Sequence, residues 1–118
     1  LRTVRHHIRE ESVIMLRLDK EMVPTDDLNI RTDHDDLRLM KRRFAKLVRS
    51  LYNTPLSSVR DEVAELSKKI SDRLQMHIDT EDTVLYPLAL KQIPSDQWES
   101  MAKECDKIGY ICFTPGKD

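Results

Sequence analysis

Apolar side chains recur at steps of three and four through three long stretches of this chain, and a histidine interrupts each stripe. The first stripe reads Leu1, Val4, His7, Glu11, Ile14, Leu18; the second reads His34, Leu37, Met40, Phe44, Leu47, Leu51. The third reads Val63, Leu66, Ile70, Leu74, His77, Glu81, Val84, Leu85, Leu88. Such spacing puts residues on one face of a helix, the face that turns towards a core. The pattern therefore restricts the chain to amphipathic helices packed on one another. It also sets a chemical problem, because an imidazole or carboxylate turned into a core is very costly without a partner.

Composition narrows the class further. At 118 residues the chain is one domain's worth, and 35% charged residues with two glycines and few aromatics suit helices better than strands. A formal net charge of −1 provides no global field towards nucleic acid or anionic lipid. The cluster Lys41, Arg42, Arg43 reads as a solvated helix face. No apolar stretch approaches the length of a membrane span, and no signal peptide is expected. Cys105 and Cys112 would lie about two turns, roughly 10 Å, apart on one helix, too far for a disulfide. Two free thiols suit a reducing compartment, so a cytoplasmic location is expected.

Punctuation divides the sequence into four helical segments. The first should run from about Leu1 to Glu21, ended by Val23-Pro24-Thr25-Asp26, and the second from Asp27 or Asn29 to Tyr52. Thr54 and Pro55 form a good N-cap and first-turn pair for a third helix, which should reach about Leu85 before Pro87 kinks or ends it. A shorter helix, Asp96 to Lys107, should stop at Gly109, with Trp98, Met101, Cys105 and Ile108 as its core stripe. The tail from Tyr110 to Pro115 is β-prone. These signals divide the chain into long helices over residues 1–92 and a short helix with the start of a linker or following domain over residues 93–118. Leu1 already lies inside an apolar pattern and the tail ends as a strand might begin, so the sequence reads as a piece of a longer protein.

The stripes carry an internal echo. Sliding the sequence by 70 aligns His7 with His77, Ile8 with Ile78, Glu11 with Glu81 and Leu18 with Leu88. His-Ile-x-x-Glu thus occurs twice on core stripes, and His34 adds a third histidine in register. Histidine and glutamate four apart can reach one point beside the helix axis. Three helices aiming such groups inward point to a metal between them, in a pseudo-symmetric bundle site. Imidazole nitrogen with carboxylate oxygen suits iron, manganese or zinc, and Glu11 and Glu81 could bridge two cations. A lone His–Glu pair at this spacing is ordinarily a solvated surface pair worth a few tenths of a kcal/mol. The duplication on core stripes is what favours metal. His34, amid Asp33, Asp35 and Asp36 near a helix start, could instead cap or face the dipole. His6 and Glu10, also four apart, point about 100° away and read as exposed or as support for the ligands. Asp82 could replace Glu81 if the helix is overwound there. Tyr52, Tyr86 and Tyr110 read as packing.

The runs Val-Arg-His-His-Ile-Arg-Glu-Glu-Ser, Asp-His-Asp-Asp-Leu-Arg and Met-His-Ile-Asp-Thr-Glu-Asp-Thr-Val-Leu-Tyr-Pro resemble the second, third and fourth helices of the hemerythrin-like HHE cation-binding domain, over about Leu1 to Leu90. The most specific element is His-x-x-x-Glu followed by the aromatic-proline pair Tyr86-Pro87. The resemblance implies an all-α, up-and-down four-helix bundle, its N-terminal helix missing from this chain, with a non-heme di-iron centre bridged by carboxylates. His7 and Glu11, His34, and His77 and Glu81 would be its metal ligands. The family's first-helix histidine has no counterpart here, and Arg38 stands where oxygen carriers have a further histidine. A histidine-poor site of this kind resembles sensing, repair or storage branches, with dioxygen, nitric oxide or iron as the small ligand and zinc or manganese as other metals the donors would accept. A second copy could supply the missing helix, and the segment Trp98 to Tyr110 resembles the join to a downstream PAS-type sensor domain. Two other functions fit the same residues: a metal-free helical interaction or dimerisation module, and a redox enzyme acting on peroxide or nitric oxide.

Overall fold

The computed structural model describes residues 3–110, and among them every regular element is a helix. No described helix is long and apolar enough to cross a membrane. The chain divides into two compact units, one of Leu1–Leu28 with Val84–Asp118, the other Asn29–Thr83.

In the first unit, α1 (Thr3–Arg9) passes through a π-helix at Glu10–Met15 into α2 (Leu16–Lys20). The end of α2 is closed by a Schellman-type pair: the Val23 amide donates to the Leu18 carbonyl at 2.9 Å and the Met22 amide to the Asp19 carbonyl at 3.0 Å. Met22 takes the left-handed conformation that glycine ordinarily fills there, with φ of 60°. The stop expected at Val23-Pro24 is therefore made two residues earlier by backbone geometry. The unit's buried apolar residues are Val13, Met15 and Leu18, then Leu85, Ala89, Ile93 and Met101. Ile14, on the expected stripe, is only half-buried. A π-turn adds a residue, and each added residue rotates the rest of the helix by about 100°. The inward face after Glu10 therefore falls out of the simple three-four register.

After α5 (Tyr86–Gln92), the short α6 (Trp98–Ile108) packs against α1 and the Glu10–Met15 π-helix. Met101 is buried and Trp98, Cys105 and Ile108 are half-buried, as the stripe predicts. Arg17, itself buried, ion-pairs with Glu104, and its guanidinium also donates to the Ser100 hydroxyl at 3.4 Å. Gly109 ends α6 with φ of 91°, and its amide donates a hydrogen bond to the Cys105 carbonyl at 2.9 Å. A side chain at Gly109 would also meet Arg5 Nη1 at 3.3 Å. Arg9 donates to the Gly109 carbonyl and lies over the Tyr110 ring, 4.6 Å from its centroid. The strand-prone residues 111–115, Cys112 included, lie outside the described residues.

The second unit is a hairpin of α3 (Ile30–Ser50) and α4 (Leu56–Thr80). The five residues joining them leave room only for antiparallel neighbours. Thr54 does not cap α4. Its amide is held by the Ser50 carbonyl at 2.9 Å as part of the α3 exit, so Pro55 takes the cap position with ψ of 146°. Ile30, Leu37 and Leu66 are the unit's buried apolar residues, whereas Leu74 and Met76 are exposed.

Pro87 does not end the third long helical run. A π-helix at Glu81–Leu85 follows α4, and α5 continues beyond it with Pro87 in its first turn. Pro87 has no amide to donate, and it stands two residues after the π-helix, where the regular ladder is already interrupted. The Thr83 hydroxyl donates to the Asp79 carbonyl at 2.6 Å, and the Thr80 hydroxyl donates to the Met76 carbonyl at 3.0 Å. These side chains satisfy carbonyls around the place where the ladder changes step.

Candidate metal centre

The α3–α4 hairpin brings three of the expected ligands together. His34, in the second turn of α3, is fully buried, and its Nε2 lies 3.2 Å from Nε2 of His77 near the end of α4. Helical spacing puts Glu81 four residues beyond His77 on the same face; its Oε1 lies 2.6 Å from His77 Nε2. Both His77 and Glu81 are buried. The ligand atoms of His34, His77 and Glu81 all lie within 4.8 Å of one another, a group that could hold a metal ion. Two nitrogens each about 2.0–2.1 Å from one divalent ion stand roughly 3.2 Å apart at a bond angle near 100°, so the two imidazoles are spaced as a shared cation requires. Asn29 takes the cap position of α3, and His34 lies in the second turn beside His77. Asp82 is exposed, and Glu81 is the buried carboxylate of the pair.

Behind His77 stands a charged network that the sequence reading missed. Asp33 Oδ2 lies 3.4 Å from His77 Nδ1, and Asp33 Oδ1 accepts from Arg73 Nε at 3.0 Å. The second arm of Arg73 reaches Asp36. The signal was present: Arg73 precedes His77 by one turn, and Asp33 and Asp36 flank His34 at helical spacing.

In the first unit, His7 is buried at the end of α1. Its expected partner Glu11 is only half-buried, while Glu10 is 2% exposed. Glu10 ion-pairs with His6, which is half-buried. Of the two readings of the His6–Glu10 pair, the exposed one is excluded by the burial of Glu10. The π-helix begins at Glu10 and shifts the phase at that residue.

A chain whose described residues form helices, with two imidazoles and a carboxylate gathered in one buried site, is by class a candidate helical cation-binding domain. The model of the hemerythrin HHE cation binding domain matches residues 1–89, and the chain belongs to that family. No curated protein and no solved structure matches the chain at a significant level.

Proposed function

We propose that this domain binds non-heme iron and uses it to sense or handle dioxygen, nitric oxide or iron itself, in the reducing interior of the cell. The single observation that carries the reading is the buried His34–His77–Glu81 group. Two imidazoles and one carboxylate are the donor composition that suits ferrous iron while leaving coordination positions open. Membership of a cation-binding family supports the same reading. On the family pattern His7 and Glu11 are further ligands, and a pair of irons is the expected nuclearity; the burial of Glu10 makes it a competitor to Glu11 for that role.

When bound, iron supplies a change of oxidation state and a position for a small ligand. The chain's own residues do the rest. His34 and His77 present Nε2 lone pairs, Glu81 offsets cationic charge that neutral imidazoles leave uncompensated, and burial keeps bulk water from competing for the donors. The free, half-buried Cys105 thiol accords with a reducing compartment.

Elemental analysis of the purified chain, before and after anaerobic loading with ferrous iron, tests the proposal. Stoichiometric iron that is lost in His34→Ala and His77→Ala is expected. Failure to retain iron under both conditions would overturn it and leave a helical interaction module as the better account.

A further inference from the structure

The Asp33–Arg73–Asp36 network has no part in holding a cation directly, yet it is built against one ligand. A neutral imidazole carries one N–H and one lone pair, and the partner of one nitrogen decides which role the other takes. His77 has its two nitrogens in different company. Nε2 faces His34 and Glu81, at 3.2 and 2.6 Å, while Nδ1 faces Asp33 at 3.4 Å. An ionised carboxylate can only accept. We propose that Asp33 is a positioning residue for the metal centre: when a cation is bound at Nε2, Asp33 accepts the hydrogen bond from Nδ1–H of His77 and so holds Nε2 as the electron-pair donor, with Arg73 fixing Asp33 in place.

The two oxygens of Asp33 divide the work. Oδ1 is taken by Arg73 Nε at 3.0 Å, which leaves Oδ2 turned to the imidazole. Arg73 is in turn anchored on Asp36, so its guanidinium spans α3 residues one turn apart. Asp33 is largely shielded from water, its side chain 14% exposed, whereas Asp36 is 44% exposed and touches only the arginine side of the network. The 3.4 Å contact is long for an N–H···O bond; cation binding at Nε2, which leaves the ring proton on Nδ1, favours its shortening. A carboxylate behind a ligating histidine raises the ligand's basicity and fixes its ring, and losing it ordinarily weakens metal affinity about 10–100-fold.

This inference rests on the metal reading, and one experiment separates the two. Ferrous iron affinity is measured anaerobically by chelator competition for the wild-type chain, Asp33→Ala, Asp33→Asn, Arg73→Gln and Asp36→Asn. Proton NMR of the zinc-loaded proteins follows the His77 ring N–H and its exchange with water, with circular dichroism confirming helical content. The expected result is an affinity loss of about 10–100-fold in Asp33→Ala with rapid exchange of the ring proton. Arg73→Gln should lose less, and Asp36→Asn should match the wild type in both readouts. If Asp33→Ala fails to fold, the isosteric Asp33→Asn takes its place. Equal losses in the Asp33 and Asp36 variants would reduce the network to a helix-to-helix tie and overturn the proposal. So would wild-type affinity with a slowly exchanging ring proton in Asp33→Ala. A wild-type chain that takes up neither cation would instead defeat the metal reading itself, and the positioning role with it.

Discussion

In the His-Ile-x-x-Glu copy that closes α4, His77 is buried and its Nε2 lies 2.6 Å from the carboxylate of Glu81, four residues on. In the copy that closes α1, His7 is buried too, but the buried carboxylate is Glu10, three residues on, and it ion-pairs with His6. The buried histidines repeat at an interval of 70 residues and the buried glutamates at 71. Each buried glutamate is also the first residue of a π-helix, Glu10–Met15 in one copy and Glu81–Leu85 in the other. A π-turn changes the helical phase, so a regular 3.6-residue count loses register through it and beyond it. The sequence His-His-Ile-Arg-Glu-Glu holds two overlapping pairs at four-residue spacing, and only the position of the π-turn selects between them. The second copy has a single histidine and leaves no such choice.

The largest effects should come from the histidines. His77→Ala and His34→Ala remove donors from the same cluster, and elemental analysis after anaerobic loading should find iron absent or far below stoichiometric in both. His6→Ala should retain it, because His6 is half-buried and its contact is with Glu10. Equal iron loss in His6→Ala and His77→Ala would mean that the functional repeat runs at 71 for histidine as well, and that His6 is the true counterpart of His77.

Next in size is the carboxylate contrast. Glu10→Gln removes a buried charge that is ion-paired to His6, a change that typically costs about 1.5–3 kcal/mol. Glu11→Gln alters a half-buried group and should stay within about 0.5–1 kcal/mol. Thermal melts of the metal-free chain check this directly. Iron affinities of the same two variants then decide which glutamate is the ligand: Glu10→Gln should fall by about tenfold or more, and Glu11→Gln should barely move. The reverse order would restore the simple repeat and show that burial misidentifies the ligand.

How much was readable beforehand depends on how local each signal is. Helix type and number could be taken from the apolar stripes, and Gly109 ended its helix because a left-handed stop is a property of a single residue. The pairing of His34 with His77 could be inferred, because both sit on regular stretches of α3 and α4 where a three-four count holds. Beyond His77 the count also held, since Glu81 is buried beside it, whereas beyond His7 it failed. Ile14 and Glu11 are less buried than the stripe predicts because a π-turn has no single-residue signature, and of the two outcomes expected at Pro87 the end of the helix is not the one found. Thr54 was claimed as a cap although its amide closes the preceding helix, a competition between neighbours that propensity cannot rank. The Asp33–Arg73–Asp36 network escaped notice because it joins two helices, and charged residues at helical spacing are ordinarily solvent-facing.

A smaller effect separates the two π-helices themselves. Thr83→Val deletes the hydroxyl that donates to the Asp79 carbonyl and should cost about 1 kcal/mol in denaturant unfolding. Ser12 occupies the corresponding place in the first copy, is exposed, and its change to alanine should fall within about 0.5 kcal/mol. Similar costs for the two would indicate that both π-helices depend on a side-chain bond of this kind.

The smallest effect, and the one that reports on the first copy by itself, is the reactivity of Cys105. This thiol lies on α6, which packs on α1 and the Glu10–Met15 π-helix. Burial pushes its pKa up, Arg9 and Arg17 pull against that shift, and Asp106 and Glu104 add to it. A raised pKa leaves less thiolate, and thiolate is the species that is alkylated. In a Cys112→Ser background, Cys105 should therefore react more slowly at mildly alkaline pH than the same thiol in the unfolded chain. The gap should narrow as pH rises through its elevated pKa. Glu10→Gln breaks the His6–Glu10 pair and should speed alkylation about fivefold, as expected if about 1 kcal/mol of the roughly 1.5–3 kcal/mol lost reaches the local opening of α6. Glu81→Gln alters the other copy and should leave the rate unchanged. Acceleration by both variants would mean that the two π-helices yield together, and the contrast between the copies would then be one of geometry without a matching difference in local stability.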